Sequence, residues 1–377
     1  MRSIIVQRLI KGLTSPWSLG FSAFGVCYGV YHIIDITQSG EKYDLEEDLS
    51  GKTYVVTGAT SGIGRVTTEE LARRHARVIM ACRNREKCIQ VRRDIVLSTR
   101  NKQVYCRQCD MEDFDSIRTF VSKLSHGKFE VDRIDGIVYN AATMEPDRSV
   151  NKLGIERTLA TNHLGSFLLT GLILDKLLAQ PHPVRLLFLN TNIINRNCSV
   201  NFDDLNSEHR KKWDGFNIYK ESKLAQALFV KELSERLKGT NISVAMADPG
   251  RTRTNLSSKV DGQNFFLSRW LLRVVSFAMG ERRVEKAVRP VLYALADPAM
   301  SSSNGVFIDR ERKEQAWSEF ALDDKLRQKL WLTSVKWTNL SERLSALQKE
   351  LAEGSEGTVE KKNAGEKRPK TWHTLWL

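Results

Sequence analysis

The sequence predicts an α/β fold, one doubly wound parallel sheet in a single domain. Three observations predict it. Short apolar or β-branched runs alternate with longer helical patterns. Runs such as Tyr54-Val55-Val56 and Arg185-Leu186-Leu187-Phe188-Leu189 are continuously apolar or nearly so. The first run leads straight into a glycine-rich turn. Strands that alternate with helices build βαβ units, and helices on both faces of the sheet demand strands apolar on both sides.

The elements follow in order. Residues 1–16 form a basic segment with Arg2, Arg8 and Lys11. From Trp17 to Ile34 there is no Asp, Glu, Lys or Arg, and His32 is the only titratable side chain apart from Cys and Tyr. A membrane span needs about 20 largely apolar residues. This run has that length, diluted by Ser18, Gly20, Ser22, Gly25 and Gly29. We expect a membrane anchor over 17–36 and an acidic linker over 37–48. A cleaved leader and a helix packed on the domain compete, but no small-x-small cleavage pattern stands out after the run. The positive-inside rule leaves the basic flank in the cytosol and carries the domain across the membrane; free thiols argue for the cytosolic side, and the conflict stays open.

Strands are expected at Thr53–Thr57, Val78–Ala81, Gln103–Cys106, Gly136–Asn140, Leu186–Leu189, Ser243–Ala247 and Gly305–Ile308. Helices are expected near Gly64–Arg74, Glu86–Thr99, Asp115–Leu124, Ile155–Ala179 and Tyr219–Leu237. The domain so defined spans 49–340, and no internal repeat appears. Residues 341–377 change in composition: Ser341–Leu351 extends as an amphipathic helix, and a basic tail with Lys361, Lys362, Lys367, Arg368 and Lys370 reads as mobile. Trp372, Leu375, Trp376 and Leu377 either touch a membrane or end a solvated tail.

Lys plus Arg is 58 and Asp plus Glu is 45, so the formal net charge is 58 − 45 = +13. Such a balance suits nucleic acid, anionic lipid or a phosphorylated cofactor. The charge is spread along the chain, with no zinc-ligand spacing and no aromatic RNA-binding signature, so nucleic acid is not an expected partner. Among the six cysteines, Cys106 and Cys109 are separated by two residues, but two further ligands at metal spacing are missing, so no metal is expected. Cys82, Cys106 and Cys109 fall in or beside strands and read as buried free thiols, which fit a reducing compartment.

Two constellations carry chemistry. The first strand runs into Thr57-Gly58-Ala59-Thr60-Ser61-Gly62-Ile63-Gly64 and then a helix. Glycines there let the backbone approach a pyrophosphate and aim a helix N-terminus at it. The second strand ends in Ala81-Cys82-Arg83-Asn84. An acidic residue there would hold the ribose 2′-hydroxyl of NAD; Arg83, with Arg65 as a second cation, favours the 2′-phosphate of NADP(H). Asp110, with Met111, follows the third strand and is placed to hydrogen-bond an adenine amino group. The second constellation is Tyr219-Lys220-Glu221-Ser222-Lys223. Residues four apart share a helix face. A nearby ammonium lowers the pKa of a phenol, which then exchanges a proton with a carbinol while a nicotinamide exchanges hydride.

These motifs resemble the short-chain dehydrogenase/reductase family over about Leu49–Leu340, and within it the membrane-bound retinol-dehydrogenase-like reductases. The resemblance rests on the turn at Thr57–Gly64, on Ala81-Cys82-Arg83-Asn84, on Asn162-His163-Leu164-Gly165, and on Lys223-Leu224-Ala225 after Tyr219. It implies a catalytic tetrad of Asn162, a hydroxyl residue after the fifth strand, Tyr219 and Lys223, with Asn162 holding a water in a proton relay to Lys223. It also implies cofactor contacts from Gly58, Thr60, Ser61, Gly62, Ile63 and Gly64, from Asn140 and Ala141, and from Pro249, Gly250 and Thr254 beside the nicotinamide. Members often pair long helices into a homodimer, which is one expectation here. Where the family has Asn-Asn-Ala-Gly, this chain reads Tyr139-Asn140-Ala141-Ala142. Where it has Ser-Ser, this chain reads Asn190-Thr191-Asn192. Thr191 takes the serine position; a slip of one register puts Asn190 or Asn192 there.

The apolar stretch Asn264–Gly280, with Arg269 and Arg273 four apart, follows the sixth strand, where this fold usually carries a substrate lid. It suggests a lipophilic carbonyl or alcohol of the retinoid, steroid or fatty type; a core or dimer helix is the competing reading. The expected activity is an NADP(H)-dependent oxidoreductase interconverting such a carbonyl and its alcohol. The alternative is a membrane-tethered dinucleotide binder that has lost turnover and serves as a binding or scaffolding module. The expected location is the endoplasmic reticulum membrane, with the mitochondrial membrane as the alternative. N-x-Ser sequons at Asn197, Asn255 and Asn339 report on the side of the membrane.

Overall fold

The computed structural model describes residues 16–38, 43–126, 130–195, 198–250, 252 and 283–340. Thr254, the Asn264–Gly280 stretch, Ser341–Leu351 and the basic tail lie outside them. The described residues belong to two bodies, a helix over 16–38 and an α/β body from Tyr43 onward.

Helix α1, Pro16–Gln38, covers the expected anchor with 23 residues. Trp17, Phe21, Phe24 and Val26 on it are exposed, Trp17 to 80%. Among the described residues, no helix is long and apolar enough to cross a membrane. The five glycines and serines between Ser18 and Gly29 hold the mean hydropathy down.

The α/β body is built on seven parallel strands: β1 Thr53–Thr57, β2 Arg77–Cys82, β3 Val104–Gln108, β4 Gly136–Tyr139, β5 Val184–Leu189, β6 Ile242–Ala247 and β7 Val306–Ile308. Their order is β3-β2-β1-β4-β5-β6-β7. The order reverses between β1 and β4, and ligands of such sheets bind beyond the strands' carboxyl ends at that point. The helices are α2 Gly62–Arg73, α3 Arg85–Thr99, α4 Phe114–Ser125, α5 Arg157–Leu159, α6 Gly165–Leu178, α7 Gly215–Arg236, α8 Val284–Ala287, α9 Arg289–Ala296, α10 Glu319–Leu322 and α11 Asp324–Thr338.

Alternation along each strand sorts the core into two layers. Val55, Ile137, Leu186 and Val244 face one cluster with Phe120, Phe167, Phe229 and Trp331 of α4, α6, α7 and α11. Tyr54, Val56, Val138 and Leu187 face the other, with Leu71, Val91 and Val291 of α2, α3 and α9. Each large side chain fully buried in this way contributes roughly 1.5–3 kcal/mol.

Three local features depart from the sequence reading. Residues from Tyr43 in the acidic linker are packed on the body: the Tyr43 hydroxyl donates to Asp297 at 2.7 Å, and Leu45 is buried. The single helix expected over Ile155–Ala179 is interrupted by a π-helical segment, Ala160–Leu164, that contains Asn162. Cys106 is not a free thiol. Helix α3 crosses back over β3, so Cys88 lies above Cys106 with Cα atoms 6.0 Å apart, and the two form a disulfide. Cys82, Cys109 and Cys198 are free.

Candidate active site

A cavity of about 370 Å³ opens at the carboxyl edge of β1, β2, β4 and β5. Its floor is the turn after β1, where Gly58, Thr60, Ser61, Gly62 and Ile63 line it. Gly58 has a φ of +65°, and an added Cβ would lie 2.9 Å from the Ala141 Cα. Gly64 does not line the cavity. A Cβ there would meet the Asn140 side chain and stand 2.6 Å from the Gly58 carbonyl, so this glycine serves close packing. Asn140 welds the turn to β4: its Nδ2 donates to Thr57 O at 2.8 Å and to Gly58 O at 3.2 Å. Thr57 Oγ1 accepts from the Asn140 and Ala141 amides, both at 3.0 Å. Ser61 precedes α2 without a side-chain cap, which leaves the first-turn N–H groups for an anion.

One end of the cavity is cationic. Arg83, Asn84 and Lys87 line it. Arg83 and Lys87 are exposed and form no salt bridge among the described residues. Asn84 Oδ1 accepts from the Lys87 amide at 2.8 Å, so it caps α3. Arg65, expected as the second cation, instead pairs with Asp94 at 3.3 Å; the sequence reading missed Lys87, which stands four residues after Arg83. Asp110 and Met111 line the wall beside them, and burial raises the Asp110 carboxyl.

The other end carries Tyr219, Lys223 and Pro249, with Asn140, Ala141 and Ala142 beside them. Asp214 caps the helix that positions Tyr219 and Lys223, accepting from the Phe216 and Asn217 amides at 3.1 Å. Lys223 Nζ donates to Leu189 O at 2.8 Å and to Gln226 Oε1 at 3.1 Å. Burial brings the Lys223 ammonium down to about 7. The expected lowering of the Tyr219 phenol does not occur. Burial raises it and Asp248 adds to the rise, while Lys223 is turned toward Leu189 and Gln226.

Asn162 sits fully buried behind the cavity. Its Oδ1 accepts from the Thr143 amide at 2.8 Å, and its Nδ2 donates to Thr143 O and Ser222 Oγ, each at 2.9 Å. The π-helical segment aims this side chain at two elements at once, a known use of such segments. At the end of β5 the cavity is lined by Leu189 and Asn190; Thr191 is not in the lining. Gly250 has a φ of +76° and donates its amide to Asp248 Oδ1 at 2.8 Å, while Asp248 Oδ2 accepts from Asn192 N at 2.9 Å. Asp248 thus ties the loops after β5 and β6 together. Sequence spacing gave no signal for it, because Asn192, the partner across the two loops, lies far away in the chain. Tyr139, which replaces a family asparagine, turns away from the cavity: it stacks on Phe188 at 4.1 Å and bonds to Thr170 at 2.8 Å. Among the described residues no group of His, Cys, Asp and Glu is placed to hold a metal.

A parallel sheet with a glycine turn at its switch point and a Tyr–Lys helix face beside it defines a dinucleotide-fold dehydrogenase. The family model for short chain dehydrogenase matches residues 52–192. Retinol dehydrogenase 13 of Homo sapiens is 34% identical over 326 residues, covering 86% of this chain and 96% of the relative. Retinol dehydrogenase 14 of Mus musculus is 33% identical over 293 residues, covering 75% and 84%. A solved structure from Mycobacterium paratuberculosis superposes with a TM-score of 0.61 at 28% identity, covering 78% of this chain and 95% of that one. A Shigella flexneri short chain dehydrogenase complexed with NADP shares the fold, with a TM-score of 0.53 at 21% identity over 71% of this chain and all of that one. The chain belongs to the short-chain dehydrogenase/reductase family, in its retinol-dehydrogenase-like branch.

Proposed function

We propose that the protein is an NADP(H)-dependent oxidoreductase that interconverts a lipophilic carbonyl, of the retinoid, steroid or fatty aldehyde or ketone class, and its alcohol. One observation carries the reading. Arg83 and Lys87 stand at one end of a single cavity, the glycine turn forms its floor, and Tyr219 and Lys223 stand at the other end. The donor set fits the dinucleotide. Gly58 to Ile63 present backbone N–H groups to the pyrophosphate, and Arg83 and Lys87 meet a 2′-phosphate. Asp110 and Met111 would flank the adenine, and Pro249 would stand beside the nicotinamide with Gly250 next to it in the chain. The names of the retinol dehydrogenases and the NADP-bound bacterial relative support the substrate class and the cofactor.

Bound NADP(H) supplies or accepts the hydride. Tyr219 gives its hydroxyl proton to the carbonyl oxygen as that oxygen becomes an alcohol; Lys223, once its ammonium turned from Leu189 O toward the phenol, would favour the phenolate left behind. The hydrogen bond to the same oxygen is assigned to the Thr191 hydroxyl, since Asn190 Nδ2 already gives its two hydrogens to Lys223 O and Gln226 Oε1. Asn162 braces Ser222 and Thr143 around the helix face. Residues 17–36 attach the protein to a membrane, which the exposed Trp17, Phe21 and Phe24 favour, and the endoplasmic reticulum is the expected one.

The test is NADPH oxidation by the full-length protein in membranes against a panel of retinoid, steroid and fatty aldehydes or ketones. Turnover abolished by Tyr219→Phe supports the reductase. Thr191→Val then tests the assigned donor, since removing a hydrogen bond to the developing charge costs about 10²–10³ in rate. NADPH binding with no turnover on any substrate favours the binding module instead.

A further inference from the structure

Gln226 is fully buried on α7, three residues past Lys223 and seven past Tyr219. Those spacings put the three side chains along one face of the helix. Gln226 bonds to three residues of the candidate site. Its Nε2 donates to the backbone carbonyl of Asn162 at 2.9 Å. Its Oε1 accepts from Lys223 Nζ at 3.1 Å and from Asn190 Nδ2 at 3.2 Å. Asn190 Nδ2 also donates to the Lys223 carbonyl at 2.9 Å, so the Asn190 side chain is held against both residues. The second acceptor of the Lys223 ammonium is Leu189 O. Both acceptors are neutral, and among the described residues no carboxylate pairs with Lys223.

We propose that Gln226 is the positioning residue of Lys223: its amide makes directly the link between the Asn162 carbonyl and the ammonium that the family resemblance assigns to a water, and through Oε1 it fixes Nζ and sets its proton affinity. The physics has a definite sign. A neutral oxygen accepting from an ammonium favours the charged form, against a burial that disfavours it. Leucine or methionine at 226 removes that acceptor, and a carboxylate of the same shape strengthens it. Tyr219 and Asp110 line the same cavity as Lys223, and Asp248 acts on the Tyr219 phenol. Burial is the cause of the depressed Lys223 value, with no neighbouring charge contributing. Of the two acceptors of the ammonium, Leu189 O is backbone and Gln226 Oε1 is side chain, so Gln226 is the acceptor that a substitution can remove.

The inference uses the reductase reading only for its effect on turnover, so the test reads Lys223 by two routes. The first is NMR titration of ε-¹³C-lysine in the full-length protein, with the Lys223 signal identified by its loss in Lys223→Met. The second is the pH profile of NADPH-dependent turnover. Gln226→Met is expected to lower the Lys223 midpoint by about one pH unit, and Gln226→Glu to raise it by at least as much. The basic limb of turnover moves with the same signs. A merely structural glutamine would change amplitudes and leave both midpoints in place, and that result overturns the proposal. If Gln226→Met does not fold, the isosteric Gln226→Glu decides alone, because an unmoved midpoint there is equally fatal. Midpoints that move as expected without turnover in any protein, wild type included, keep the role of Gln226 and reject the reductase; turnover with unmoved midpoints does the reverse.

Discussion

At the scale of single residues, Lys223 sets the pH response. Its ammonium titrates near 7, so it is charged below that pH and loses the charge above it. Carbonyl reduction by the wild-type protein is therefore expected to fall as pH rises through about 7 to 8, read as the basic limb of kcat. Arg83 governs cofactor choice. Arg83→Glu places a carboxylate where a 2′-phosphate would bind. It is expected to weaken NADPH by about 10- to 100-fold while changing NADH far less, from hydrogen bonds to a charged group worth about 1.5–3 kcal/mol. Fluorescence titration with both nucleotides checks this. Residues that depend on local spacing, such as Tyr219 and Lys223 or the glycines after β1, were legible because turn and helix geometry alone bring them together. Gln226 has equally regular spacing but carries no chemistry that a motif names. Asp248 and Asn190 act through bonds to distant segments, which no local pattern encodes.

At the scale of elements, the strands followed their apolar runs to within two residues at each end, because burial on both faces leaves little choice of register. The long helix before β5 was the exception. Residues 155–179 keep an apolar pattern throughout, and the π-helical segment at Ala160–Leu164 answers to side-chain bonds of Asn162 that periodicity does not register. A second element-level device is the buried pair between α7 and α11, Arg327 and Glu232 at 3.2 Å, with side chains 9% and 10% exposed. Arg327 also bonds Asp324 and the carbonyls of Ala321 and Leu322. Arg236 also pairs with Glu232, at 2.8 Å, so removing Arg327 takes away one of two cations, and Arg327→Met is expected to destabilise the fold by about 2 kcal/mol in chemical denaturation. α7 carries Tyr219 and Lys223, so turnover should decline with stability.

At the scale of the molecule, acid sensitivity has an identifiable origin. His163 lies in the aromatic cluster of Phe167 and Phe229, and burial lowers it to about 3. Ser334 donates to Leu330 O, so its oxygen accepts from His163 Nε2 at 2.8 Å and the ring is neutral. The native state keeps His163 unprotonated while the unfolded chain protonates it below about 6.5. Its contribution is whole above that pH and is lost as pH falls toward 3, at up to about 1.4 kcal/mol per pH unit. His163→Gln should flatten the acid limb of the stability profile between those values. The parallel, doubly wound sheet followed from alternating strands and helices; its strand order, β3-β2-β1-β4-β5-β6-β7, is a finding of the structure. The docking of Tyr43 and Leu45 against the body did not, because their partners are far away in the chain.

The bond between Cys88 and Cys106 gives the molecule an internal compass. Glutathione keeps such pairs open on the cytosolic face of a membrane, whereas the secretory lumen lets them close. Rapid alkylation of intact cells followed by denaturation should leave Cys88 and Cys106 unlabelled when the domain faces the lumen and label both when it faces the cytosol. A pair of side chains stapling one helix to one strand thereby records the direction in which the nascent chain was threaded.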